Sequence, residues 1–206
     1  MNYDEDSKYV EECLSGDVKA FEKIVDKYQK VIFRLVMRIA NNYDDAEDIT
    51  QSIFIKAYGK LDTFNSQYKF YSWLYKMAVN ETINFCNKRK KSKYLKGNII
   101  QREKNPADIA DTDDIDEKIQ SAIVKLDMNY RIPLVLKYFM SYSYSEIAEI
   151  LEIPERTLKS RLFTARHLLK EELIKNGVRF NGLGVTQKVS RGKHNNVITF
   201  DNGIPL

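Results

Sequence analysis

Residues 143–173, SYSEIAEILEIPERTLKSRLFTARHLLKEEL, restrict the possible folds of this chain more than any other stretch. Ser143 and Glu146 have capping-box spacing, in which the hydroxyl accepts the third backbone N–H while the carboxylate reaches back to the cap. A short helix carrying Ile147, Ala148 and Leu151 is predicted to follow, and Pro154, which cannot continue it, separates it from a second helix. That second helix places Leu158, Leu162, Ala165 and Leu169 on one face at spacings of four, three and four. Two short helices joined by a tight turn form a helix-turn-helix.

The reverse face of the second helix carries its own stripe, Arg156, Ser160, Phe163 and His167, with Thr157, Lys159 and Thr164 beside it. A phenylalanine aimed away from the core among cations and hydroxyls suits a DNA major groove. Thymine methyls there take apolar contact, and base edges and phosphates take polar and charged side chains. A charged solvent face with one exposed aromatic would have the same pattern.

The N-terminal half is also helical. Phe21, Ile24, Val25, Tyr28, Ile32, Leu35, Val36 and Ile39 describe long amphipathic helix, and Ala46, Ile49, Ile53 and Ala57 form the core stripe of the next. Asp48, Gln51 and Ile55 lie opposite that stripe with Tyr58 near their edge, which suggests a protein-binding surface. In KFYSWLYKMAVNETINFCNKRKKSKYLK, residues 69–96, Phe70, Leu74, Met77, Ala78 and Phe85 share one face and Tyr75, Val79 and Ile83 cover a second. The remaining strip, Trp73, Lys76, Asn80, Asn84 and Asn87, leads into the cations Lys88, Arg89, Lys90, Lys91, Lys93 and Lys96. Aromatics stack on unpaired bases, amides hydrogen-bond base edges and lysines neutralise phosphates, so this helix is read as a handler of exposed bases. Trp73 completing a core is the competing reading. Glu81, inside the apolar face, has no explanation in the sequence.

Composition excludes several classes. The 206 residues are 43% hydrophobic and 12% aromatic, enough to bury a core, and no apolar run approaches the ~20 residues of a membrane span. With an acidic start lacking a signal-peptide layout, the chain is expected in the cytoplasm, without membrane insertion. Cys13 and Cys86 lack metal-ligand spacing, and no Ser/His/Asp set or Gly-rich phosphate loop is present. No enzyme activity, metal, cofactor or small-molecule substrate is therefore expected. The net charge is only +4, but the basic cluster at 88–96 is soon followed by Asp108, Asp111, Asp113, Asp114, Asp116 and Glu117, an asymmetry that points to a polyanionic partner. Pro106 and the acidic run break the periodicity. The expected organisation is all-α: a helical domain at 8–95, a flexible acidic linker at 96–115, a helix-turn-helix domain at 116–175 and a Gly- and Asn-rich tail of unknown role at 176–206, with at best a short strand in NNVITFDNG.

DDAEDITQSIFIKAYGKLDTFNSQYKFYSWLYKMAVNETINFCNKRKK followed by YSEIAEILEIPERTLKSRLFTAR resembles the two-domain extracytoplasmic-function sigma subunits of bacterial RNA polymerase, over roughly residues 15 to 175. The resemblance implies that the clamp of the β′ subunit of core polymerase is met by Asp44 to Leu61, including Asp48, Gln51 and Ile55. It implies that FNSQYK, that is Phe64, Asn65, Ser66, Gln67, Tyr68 and Lys69, captures a flipped non-template base, and that Trp73, Asn80 and Asn84 lie on the strand-separating helix, where Lys76, Lys88 and Arg89 supply charge. Arg156 to His167 would read the upstream element as duplex. Two departures, Arg156 where many members have Gly and Thr164 where many have a basic residue, mean that no promoter sequence can be carried over. The expected partners are core polymerase and promoter DNA, duplex and melted, and an anti-sigma factor is left open. An autonomous helix-turn-helix regulator is the alternative, and it gives no task to Trp73 or Ile55.

Overall fold

A computed structural model describes residues 3–95 and 114–178, all of its regular structure helical. The linker at 96–113, Lys96 of the basic cluster and the tail beyond Val178, with its suggested strand, lie outside the described residues. The linker expectation needs one correction at its end. Asp114 and Ile115 already belong to a helix, because Ile115, Ile119, Ala122 and Ile123 continue the apolar period of the second domain.

The first domain is built from α1 (Tyr3–Leu14), α2 (Val18–Ala40), α3 (Tyr43–Gly59), a 3-10 turn (Leu61–Thr63) and α4 (Phe70–Leu95). Asp17 caps α2 by accepting from Lys19 N–H, and α2 ends at Asn41 in the left-handed conformation that Asn tolerates. Asn42 caps α3 from the next residue, so the two helices fold back on each other across a two-residue connection. The apolar stripe of α2 is buried except for Val25, which is partly covered, and Ala46, Ile49, Ile53 and Ala57 are buried on α3. Buried Asp6 on α1 accepts from Lys27 Nζ at 2.5 Å and from Tyr28 Oη at 2.6 Å; burial, and after it the latter bond, hold the Tyr28 phenol protonated. Glu81, unexplained in the sequence, forms an ion pair with Lys56 of α3 and so ties α4 to α3.

The second domain comprises α5 (Asp114–Lys125), α6 (Met128–Tyr138), α7 (Tyr144–Leu151) and α8 (Glu155–Lys175). Its capping box forms as expected: Ser143 Oγ accepts from Glu146 N–H, and Glu146 accepts from Ser143 N–H at 2.8 Å. The Ser143 hydroxyl, donating to Glu146 Oε2 at 2.7 Å, and after it the Ser143 N–H, hold the Glu146 carboxyl below the usual range. Leu158, Leu162, Ala165 and Leu169 are buried on α8. On α7 the buried pair is Ile147 and Ile150, with Ala148 and Leu151 half-buried, so the inward face is rotated slightly from the expected one.

The two domains pack on each other, α5 and α6 against α2, and α7 against α4. Arg131 of α6 is buried and donates to Ile39 O of α2 at 2.8 Å, to Leu126 O at 2.9 Å and to Val124 O. Arg38 of α2 donates to Gln120 Oε1 of α5 at 2.9 Å, Gln120 donates back to Arg38 O at 3.1 Å, and the guanidinium lies 4.4 Å from the Phe139 ring centre.

Candidate nucleic-acid and polymerase interfaces

Three surfaces collect the residues singled out in the sequence. On α8, Arg156, Lys159, Ser160 and Phe163 are exposed, Phe163 to 46%, while Thr157, Thr164 and His167 are half-exposed. The one-sided core stripe of this helix leaves its reverse face free, which is why the spacing was readable. Phe163 and His167 touch, their ring centres 4.6 Å apart. The structure adds two residues the periodicity missed. Tyr144, first in α7, has Lys137 Nζ 4.9 Å and Lys159 Nζ 5.8 Å from its ring centre. Lys137 belongs to a different helix, so no single-helix period could join it to this face.

On α3, Asp48, Gln51 and Ile55 are exposed, Ile55 to 67%, and Tyr58 is exposed beside them. They line a broad groove of about 1250 Å³ shared with α2, whose walls include Phe21, Phe33, Tyr43 and Phe54. Within its lining, Phe21 and Tyr58 meet edge to face at 5.1 Å and Phe33 and Tyr43 at 5.3 Å. The α2 wall went unread because Phe21 belongs equally to the buried stripe.

The third surface spans the 64–69 loop and α4. Asn65, Ser66, Gln67, Tyr68 and Lys69 are exposed, and an Asx turn, with Gln67 N–H donating to Asn65 Oδ1 at 2.9 Å, shapes the loop. Phe64 turns inward, 5.3 Å from Phe70 and 5.8 Å from Trp73. Trp73 itself is half-buried in this aromatic group, so the stacking and packing readings share one residue. Asn80, Asn84, Asn87 and Lys88 are exposed. Two expected free cations are engaged: Arg89 pairs with Asp45 of α3, and Lys76 Nζ lies 2.5 Å from Glu152, just after α7.

Residues 24–92 match sigma-70 region 2 and residues 116–169 match sigma-70 region 4. The chain belongs to the sigma-70 family. It is 36% identical over 178 residues to the ECF RNA polymerase sigma factor SigW of Bacillus subtilis (strain 168), spanning 81% of this chain and 95% of that protein. It is 31% identical over 180 residues to the ECF RNA polymerase sigma-E factor of Escherichia coli (strain K12), spanning 82% and 94% respectively. Among solved structures, the sigma factor RpoE of Bartonella quintana, in complex with the anti-sigma factor NepR, aligns with TM-score 0.63 and 26% identity over 77% of this chain and 98% of that one. CnrH, in complex with the cytosolic domain of CnrY, shares the fold, with TM-score 0.66 and 20% identity over 84% of this chain and 99% of that one. This protein is thus a sigma factor of the extracytoplasmic-function type, which joins core RNA polymerase and directs initiation at particular promoters. Nothing in these relationships supports an autonomous regulator. Among the described residues, no helix is long and apolar enough to cross a membrane, and no three His, Cys, Asp or Glu side chains are grouped to hold a metal.

Proposed function

We propose that the three surfaces divide the initiation work. The α2–α3 groove, with Asp48, Gln51 and Ile55 on its α3 wall, grips the polymerase clamp. The 64–69 loop and the strip Trp73, Lys76, Asn80 and Asn84, continued by Lys88, take the melted strand of the downstream element. Arg156, Thr157, Lys159, Ser160, Phe163, Thr164 and His167 read the upstream duplex. The observation that carries this division is the position of exposed apolar side chains, Ile55 at 67% and Phe163 at 46%, each on the polar side of a helix whose other side is fully packed. Burying such a side chain against a partner contributes about 1.5–3 kcal/mol. Arg89 acts here through α3, by holding Asp45, rather than as a phosphate contact. The half-burial of Cys13 and Cys86, whose thiols burial holds protonated, fits a reduced, intracellular chain. An anti-sigma partner is proposed from the RpoE–NepR likeness.

The test is run-off transcription with core polymerase on a promoter selected by the protein, using Ile55→Asp, Asn80→Ala and Phe163→Ala. The expected blocks fall at polymerase binding, strand opening and promoter choice respectively. Three variants blocked at the same step would end the division.

A further inference from the structure

Among the described residues, the buried charged side chains are Arg131, which joins the domains, and Asp6, which belongs to none of the three surfaces. Taking a carboxylate out of water is costly unless its oxygens are satisfied. Both are: Oδ1 accepts from Lys27 Nζ and Oδ2 from Tyr28 Oη at 2.6 Å. The second bond fixes the far end of a tyrosine that is itself buried, and so fixes the tilt of its ring.

From that ring the packing runs straight to the loop after the 3-10 turn. The Tyr28 ring centre lies 5.9 Å from that of Phe70, the first residue of α4. Phe70 meets Phe64 edge-on at 5.3 Å, and Trp73 lies 5.5 Å from Phe70 and 5.8 Å from Phe64. Phe64 and Phe70 flank the exposed residues 65–69 on either side, so their contact closes the base of the loop. Helix α1, which carries Asp6, also packs against α4 and against the 3-10 turn that leads into the loop. A densely packed interior transmits displacement from one side chain to the next. A loop held at both ends also meets its ligand with less ordering to complete.

We propose that Asp6 and Tyr28 are positioning residues for the downstream element: they hold the Phe64–Phe70 base of the 64–69 loop, and with it the geometry in which the exposed loop side chains accept an unpaired base. The inference rests on the base-capture role given to that loop and names the residues that support its selectivity. Both are buried, so they act through Phe70 and Phe64 rather than by touching DNA. Tyr28 does not line the α2–α3 groove, which leaves the grip on polymerase independent of it.

The experiment uses the full chain in holoenzyme and the non-template downstream element of a promoter selected by the protein. Fluorescein-labelled single-stranded oligonucleotides carry each base in turn at every position of that element, with affinity read by anisotropy. Tyr28→Phe keeps the buried ring and deletes its bond to Asp6; Asp6→Asn, nearly isosteric, is the second variant. Each should reduce the preference for the favoured base about fivefold, the worth of one net hydrogen bond, with affinity for core polymerase unchanged. Trp73, the chain's single tryptophan, reports on the aromatic group directly, and acrylamide should quench it more readily in both variants. A parental base preference in both variants overturns the proposal, as does a lost preference with unchanged quenching. A parallel loss of polymerase affinity also overturns it, because that marks a general defect of the fold. Gln67→Ala/Tyr68→Ala distinguishes the loop from its support. If that pair removes the preference while Tyr28→Phe and Asp6→Asn leave it intact, only the positioning role fails; if the pair itself leaves the preference intact, the role of the loop fails and the positioning with it.

Discussion

Phe163 and Glu146 show how much a single side chain can determine. Phe163 carries no core contact that its removal would empty, so Phe163→Ala should leave the melting temperature within about a degree of the parent. The same variant, like Lys159→Ala, should cost about 1–3 kcal/mol of discrimination at the upstream element, measured as transcription from promoters with and without that element. Loss of stability without loss of discrimination would make Phe163 a packing residue. Glu146 predicts a pH dependence. Bonds from Ser143 and Tyr71 to its carboxylate lower its pKa in the folded chain, so the unfolded chain binds the proton more readily. The stabilisation is complete above the ordinary glutamate range and fades as pH falls through it toward the lower folded value. Urea midpoints followed downward from pH 7 should therefore drop less steeply in Glu146→Gln than in the parent, and parallel profiles would show that the cap contributes nothing.

At the scale of the helix, amphipathicity decides what a substitution does. Gln51→Glu or Ile55→Asp lies opposite the buried stripe of α3, where a charge meets water, so helical content should persist while affinity for core polymerase falls. Unchanged affinity in a pull-down removes the clamp assignment, and unfolding would mean that this face is core. On α4 two neighbours in one strip should differ. Asn80 is exposed, and Asn80→Ala should slow formation of the heparin-resistant open complex about tenfold without affecting stability, with recovery on a premelted bubble. Trp73 also packs on Phe64 and Phe70, so Trp73→Ala should show the same opening defect together with a loss of about 1–3 kcal/mol of stability. Permanganate footprinting across the start site gives the opening readout. A Trp73→Ala protein that opens duplex at the parental rate would leave that residue purely structural.

Across the whole molecule, Arg131 joins the domains. Arg131→Ala would leave buried carbonyls of Ile39 and Leu126 without their donor, costing about 2–4 kcal/mol. Its denaturation should split into two transitions where the parent shows one, and a single unshifted transition would show that the domains are joined elsewhere. The sequence by itself determined α2, α3, α4, α7 and α8, the capping box and the exposed stripes Asp48–Gln51–Ile55 and Arg156–Ser160–Phe163, whereas α1, α5 and α6 came from the structure. Each of the former is a matter of spacing within one helix, where period and side-chain chemistry coincide. The tertiary structure alone decided which of those exposed groups are occupied. Glu81 is matched to Lys56, Arg89 to Asp45 and Lys76 to Glu152, pairs separated by 25 residues or more that no helical period relates. The groove wall from α2 and the Lys137–Tyr144–Lys159 group arise in the same way. They depend on which helix faces meet, and that is settled only when burying one domain's apolar surface against the other outweighs the entropy of holding them together.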